Sequence, residues 1–252
     1  MVSRIGFLVA GVAVVAMGFV LCAPAPAQEQ GVEQPAARTW TAGVDATVFS
    51  DYMWRGLNKY DTAVSPSIFV RFPSFEIRAT GIAETGEDEG LGEVDASFEY
   101  FFSVGQLDFS AGYMFYGYDE SVYSDTSEIF GKASWNTGTP ITPLLELYWD
   151  VDEADALYGR IGVAYADRIE KISYALRATL GAATEGFGET YFFVSESGFI
   201  DFDISFSMII PVTDYFSVKP FVGYSVLVNN GINDVVKDDS KAYAGGAILL
   251  MF

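Results

Sequence analysis

From residue 39 onward the sequence alternates apolar and polar side chains with a period of two, in segments of about ten residues. That period places successive side chains on opposite faces of an extended strand, so each segment carries one greasy face and one polar face. Val94, Ala96, Phe98, Tyr100 and Phe102 oppose Glu93, Asp95, Ser97 and Glu99. Leu145, Leu147 and Trp149 oppose Glu146, Tyr148 and Asp150, and Ile200, Phe202, Ile204, Phe206 and Met208 oppose Asp201, Asp203, Ser205 and Ser207. About twelve segments read this way, near 39–55, 64–72, 75–83, 93–102, 107–118, 127–136, 142–151, 156–166, 172–183, 199–211, 216–227 and 242–252. Past Arg38 no apolar run is long enough for a membrane-spanning helix.

The connectors alternate too. Those at 73–74, 103–106, 137–141, 167–171 and 212–215 are short; those at 56–63, 84–92, 119–126, 184–198 and 228–241 are long, with 152–155 a short exception on the long side. Short turns on one side and long loops on the other are the plan of an all-β, single up-and-down antiparallel transmembrane β-barrel. Ten residues at about 3.3 Å each, tilted by roughly 40°, rise about 25 Å, the height of a barrel's apolar band. Aromatics on the apolar face fall at two levels: Trp40, Phe72, Phe75, Trp135, Tyr165 and Phe252 toward the short turns, and Trp54, Phe115 and Trp149 toward the loops. A soluble sandwich shares the alternation but turns the apolar face inward. Pro66 and Pro220 fall inside strands, where each removes a ladder donor, so a bulge or local break is expected at both.

The start of the chain reads as an address. A basic start at Arg4, an unbroken apolar run from Ile5 to Leu21 and Ala25-Pro26-Ala27 form a secretory signal cleaved after Ala27. An uncleaved anchor is disfavoured by the run's length, and lipidation at Cys22 by the bulky Leu21 before it. The expected organisation is a signal at 1–27, a flexible periplasmic lead-in at 28–38 and the barrel at 39–252. The last strand stops at Phe252, and an alternating strand closed by Phe resembles the signal read by the outer-membrane barrel assembly machinery. Outer-membrane lipids are the other expected partner.

Composition excludes several classes. The 252 residues hold 34 acids, 14 bases and no histidine, a net charge of −20. So negative a chain repels phosphate backbones, so no nucleic-acid partner is expected. Without histidine the usual general base and the usual transition-metal ligand are missing, and one cysteine cannot build a zinc site; no cofactor and no metal centre are expected. Asp201 and Asp203, about 6.6 Å apart along one strand face, are the remaining candidates for carboxylate catalysis, but nothing marks a pocket and no enzyme is expected.

On the barrel reading the polar face lines the lumen. It would hold Asp45, Asp51, Glu76, Glu93, Asp95, Glu99, Asp108, Glu128, Glu146, Asp150, Asp201 and Asp203, together with Arg55, Arg71, Arg78, Lys132, Arg160, Arg177 and Lys219. Charges in a narrow interior require partners or water. Two readings stay open: a ladder of ion pairs that fills the interior, or a wet, net-negative passage favouring small cationic or neutral solutes. The long loops are acidic, with Glu84, Glu87, Asp88 and Glu89 in one and Asp234, Asp238 and Asp239 in another. They form a solvated rim and are candidate sites for divalent cations bridging to anionic headgroups, although they lack the spacing of a calcium loop.

Ser50-Asp51-Tyr52-Met53-Trp54-Arg55-Gly56-Leu57 resembles the S-D-Y-x-x-R-G-[IV] segment that opens the Gcw-type family of Gram-negative outer-membrane proteins, long catalogued as conserved hypothetical. Leu57 stands where that family has Ile or Val. A similar stretch occurs in the outer-membrane family named for interaction with a lytic transglycosylase. The resemblance implies a porin-like or structural outer-membrane barrel. Asp51 and Arg55, roughly 13 Å apart along a strand, are too far apart to pair with each other and should find partners on neighbouring strands.

Overall fold

The computed structural model describes residues 40–85, 91–119, 123–236 and 239–252. The expected signal at 1–27 and lead-in at 28–38 lie outside the described residues, as do Glu87, Asp88, Glu89 and Asp238.

β1 (Thr41–Phe49), β4 (Ala63–Arg71), β5 (Phe75–Glu84), β6 (Leu91–Val104), β7 (Leu107–Tyr118), β8 (Thr126–Trp135), β9 (Ile141–Asp150), β10 (Ala156–Ile169), β11 (Ile172–Ala183), β12 (Gly198–Pro211), β13 (Phe216–Leu227) and β14 (Ser240–Met251) pair in sequence order. Antiparallel pairing of β1 with β14, from Gly43 opposite Met251 to Phe49 opposite Gly245, closes the barrel. Four further elements lie on the long-loop side: the hairpin strands β2 (Tyr52–Trp54) and β3 (Leu57–Tyr60) and the helices α1 (Glu185–Phe192) and α2 (Asn230–Asn233).

The faces fall as the alternation requires. Ile68, Ile129, Ile161 and Val222 are 51–57% exposed in the middle of their strands, while Glu93 and Glu128 are 1% exposed. A closed sheet with that exterior and a charged interior is a membrane barrel, because only lipid makes such an outer surface favourable. Trp135 and Trp149 sit on the exterior at opposite ends of adjoining strands, at the two headgroup levels.

Three expectations are corrected. The first strand does not run to 55; it ends at Phe49, and β2 belongs to a separate hairpin. Trp54 is therefore not a lipid-facing ring but is 2% exposed inside the barrel. Ile200, expected outside, is fully buried next to the equally buried Asp201. A register shift between Leu180 and Ala182 at this end of the β11–β12 ladder breaks the alternation and lets both side chains point in. At Pro66 and Pro220 the ladder is interrupted on one side without any register shift, so each costs a local gap rather than a bulge.

Candidate functional site

The hairpin β2–β3 crosses the lumen. Its turn is Trp54-Arg55-Gly56-Leu57, with Trp54 paired to Leu57 and positive φ at both central residues, 49° at Arg55 and 83° at Gly56. Two consecutive left-handed residues give the tight reversal favoured in two-residue hairpins. A glycine serves at 56 for a second reason: a Cβ there would lie 2.5 Å from Leu227 Cδ2 and 2.8 Å from Asp201 Cβ. The tip thus abuts β12 and β13 after leaving β1.

Arg55 anchors the tip to the β8–β10 wall. Its Nη1 and Nη2 donate to Glu128 Oε1 and Oε2 at 2.6 and 2.7 Å. The guanidinium carbon lies 4.6 Å from the Trp54 ring, 4.5 Å from Tyr148, 4.6 Å from Tyr158 and 5.8 Å from Phe187 of α1. Tyr116 donates to the same carboxylate at 2.9 Å. Burial works against the charge on Arg55, but the Glu128 carboxylate more than offsets it and holds its pKa above the usual value. Lys59 of β3 makes a second tie, to Glu93 at 2.8 Å and to the Tyr118 hydroxyl at 2.9 Å. There burial prevails over the attraction of Glu93 and lowers the lysine's pKa.

α1 packs against the hairpin. Trp54 stacks on Phe187 at 5.6 Å and meets Tyr191 edge-on at 4.5 Å. Tyr191 donates to Asp150 Oδ2 at 2.9 Å, and Asp150 Oδ1 accepts from Thr126 and from the Asp152 and Ala154 amides. With Ile200, Leu227 and Ile232 of α2 these rings form one buried cluster at the loop end.

Toward the short turns the lumen holds charges bonded to one another. Arg71 meets Glu76 at 2.7 Å, and Arg78 meets Glu76 at 3.0 Å and Asp45 at 2.7 Å. Glu99 takes Lys132 at 3.2 Å; Glu146 takes Arg177 at 2.7 Å and Arg160 at 3.1 Å. Asp201 and Asp203 accept from two different tyrosines, Tyr158 at 2.8 Å and Tyr243 at 2.7 Å. Between plug and charge ladder lies a cavity of about 60 Å³ whose lining includes Arg55, Asp95, Arg160 and Asp203.

The sequence-derived lumen set is therefore brought inside with two amendments. Asp108 keeps the inward parity but sits exposed at the short-turn rim, where it accepts from Ser103. Arg55 reaches the lumen from the hairpin tip and not from a barrel strand. Lys219 is half-buried on β13, and Asp51 takes Lys241 of β14 at 3.0 Å. Phe252 is 57% exposed beyond β14, with its amide on Ala42. Among the described residues no group of three or more acids is gathered closely enough to hold a metal ion. Sequence reasoning missed the aromatic cage. Its signal was present in Tyr148 and Tyr158, large rings on the polar face among charges.

No protein-family model and no curated protein matches the chain. Solved structures do. The KdgM porin in complex with disordered oligogalacturonate matches 84% of this chain and 99% of its own, at 8% identity and a TM-score of 0.53. An outer-membrane channel from Pseudomonas putida F1 matches 86% and 97%, at 9% identity and 0.53. The NanC porin matches 83% and 98%, at 13% identity and 0.50. The closed twelve-strand sheet, its lipid-facing exterior and this likeness in fold together make the chain an integral β-barrel of the outer-membrane type.

Proposed function

We propose that the protein is a narrow outer-membrane channel for small cationic or neutral solutes, held shut in this conformation by its first-loop hairpin. The observation that carries the reading is the Arg55–Glu128 tie, which pins a hairpin across an otherwise polar lumen. Among the described residues many buried lumen side chains are polar or charged, as a water path needs, and the larger ring cluster gathers toward the loop end. Cation preference follows from what hairpin withdrawal leaves behind. Arg55 and Lys59 leave with the hairpin, while Glu93, Asp95, Glu128 and Asp150 stay on the wall. The mouth adds Asp125, Asp152, Glu153 and Asp155, which raise the local concentration of cations.

The segment resembling the Gcw-type family is the segment that forms the plug. We infer membership of that family, with the corollary that chains sharing Ser-Asp-Tyr-x-x-Arg-Gly share the inward hairpin. Planar-bilayer recordings test the channel reading. Wild-type barrel should conduct poorly, and a barrel with residues 51–61 replaced by a short Gly-Ser link should form steady cation-preferring pores. Silence from both, with the barrels shown to be folded, rejects the channel. A purely structural barrel is the second reading, favoured by the ion pairs that fill the lower lumen; it predicts that silence.

A further inference from the structure

The Arg55 guanidinium occupies a site made almost entirely by other parts of the chain. Glu128 comes from β8, Tyr148 from β9, Tyr158 from β10 and Phe187 from α1; only Trp54 shares the hairpin with Arg55. Glu128 is 1% exposed and offers both oxygens side by side, already oriented by Tyr116. A planar guanidinium matches a carboxylate edge through two parallel hydrogen bonds while its faces meet aromatic rings. Such a cage attracts cations through ring quadrupoles, and strongly so when water is excluded. The cage opens onto the internal cavity, which reaches Arg55 itself along with Tyr116 and Tyr148. The site is therefore a receptor for a cation, filled by a tethered one.

We propose that the cage of Glu128, Tyr148, Tyr158 and Phe187 is a binding site for small guanidinium or methylated-ammonium solutes, and that such solutes compete with Arg55 and free the hairpin. The binding half stands on the cage geometry alone; the hairpin half rests on the channel reading above. A carboxylate with bidentate geometry ranks the ligands: a planar guanidinium regains both hydrogen bonds, while a tetramethylammonium regains the ring contacts and the charge attraction but no hydrogen bond.

Arg55→Ala empties the cage and leaves Trp54 beside it as a reporter. Trp40, Trp135 and Trp149 face outward and serve as a constant background. Barrel folding is checked by heat-modifiable gel mobility, and if Arg55→Ala does not fold, Arg55→Gln carries the same titration. Methylguanidinium added at millimolar concentration, against sodium chloride of equal ionic strength, should change the tryptophan fluorescence saturably and raise the unfolding temperature. Adding Glu128→Gln should weaken its binding by about tenfold or more, and tetramethylammonium should bind the Arg55→Ala barrel more weakly than methylguanidinium. No saturable response in either single variant, or equal affinity with and without Glu128, overturns the site. In wild-type bilayers, methylguanidinium from the loop side should raise conductance. If it binds the Arg55→Ala barrel while the hairpin-deleted barrel stays silent, the channel reading falls and the cage stands.

Discussion

Among the described residues Glu146, like Glu76, holds two guanidiniums at once. It accepts from Arg177 at 2.7 Å, meets Arg160 at 3.1 Å and accepts from the Tyr148 hydroxyl at 3.2 Å, and its side chain is 7% exposed. Glu146→Gln keeps the volume and one acceptor but takes from Arg160 and Arg177, 13% and 4% exposed, the carboxylate that both of them bond. Breaking a buried ion pair by removing one partner costs about 3–5 kcal/mol, and a hydrogen bond to a charged group contributes about 1.5–3 kcal/mol. Two such contacts are weakened, so a loss of about 4 kcal/mol is expected. Urea unfolding in lipid vesicles reads it: with a slope of about 3 kcal/mol per molar, the midpoint falls by about 1.3 M. Adding Arg177→Met removes one of the two guanidiniums that Glu146 bonds and should return about half of the loss, a coupling expected of contacting residues. A midpoint shift below about 0.3 M for Glu146→Gln would refute the reasoning, because it would mean that other neighbours or water, not Glu146, compensate the two guanidiniums.

Other substitutions probe the remaining parts. Gly56→Ala puts a Cβ 2.5 Å from Leu227 Cδ2 at a φ of 83°, so it should cost about 1–3 kcal/mol and raise bilayer conductance by displacing the tip; unchanged conductance counts against the plug. Ile161→Arg, on the lipid face near mid-strand of β10, should cost about 2–4 kcal/mol, and Ile169→Arg at the short-turn end about 0–1, both by the same unfolding assay; equal costs would argue against the bilayer placement. Burial, then the Asp150 charge, raises the Tyr191 hydroxyl pKa above its unfolded value. An acid raised in the folded state contributes its full stability below the unfolded pKa of about 10 and loses it as pH rises beyond. Stability should therefore fall above about pH 10, less steeply in Tyr191→Phe; an unchanged slope contradicts the assignment.

The barrel was legible in the sequence because strand parity is a local property. Val94 to Phe102 declares which face meets lipid whatever its neighbours do, and connector length declares which end carries the loops. The plug was not legible for two reasons. Tyr52 and Trp54 continue the parity of β1, since the hairpin strand is itself extended, and Arg-Gly lacks the Asn-Gly or Asp-Gly signature of a two-residue turn. The inward turn of Ile200 arises from a register shift involving the neighbouring strand, which no single segment records. Partners were the hardest to read. Arg55 and Glu128 stand 73 residues apart and meet only because the sheet closes and a loop folds through its centre. Parity gives the face of each charge, whereas pairing depends on the completed circle.

The tether sets a concentration scale for the cage. Arg55 is presented to Glu128 by a hairpin that pairs with itself and is held again at Lys59, so its local concentration is at least the millimolar value of a short flexible link and rises as the hairpin stiffens. A free guanidinium must exceed that concentration, scaled by its own affinity relative to the side chain, before the hairpin is displaced. The concentration that half-opens wild-type channels should therefore exceed the Kd measured with Arg55→Ala by about tenfold or more. Weakening the second tie with Lys59→Met should lower the wild-type value toward that Kd while leaving the Arg55→Ala affinity in place. Equal values in wild type and Arg55→Ala would mean that solute and side chain do not contend for one site, and closure of the lumen would then have to rest on the Lys59–Glu93 tie and the packing of Trp54 against Phe187 and Tyr191.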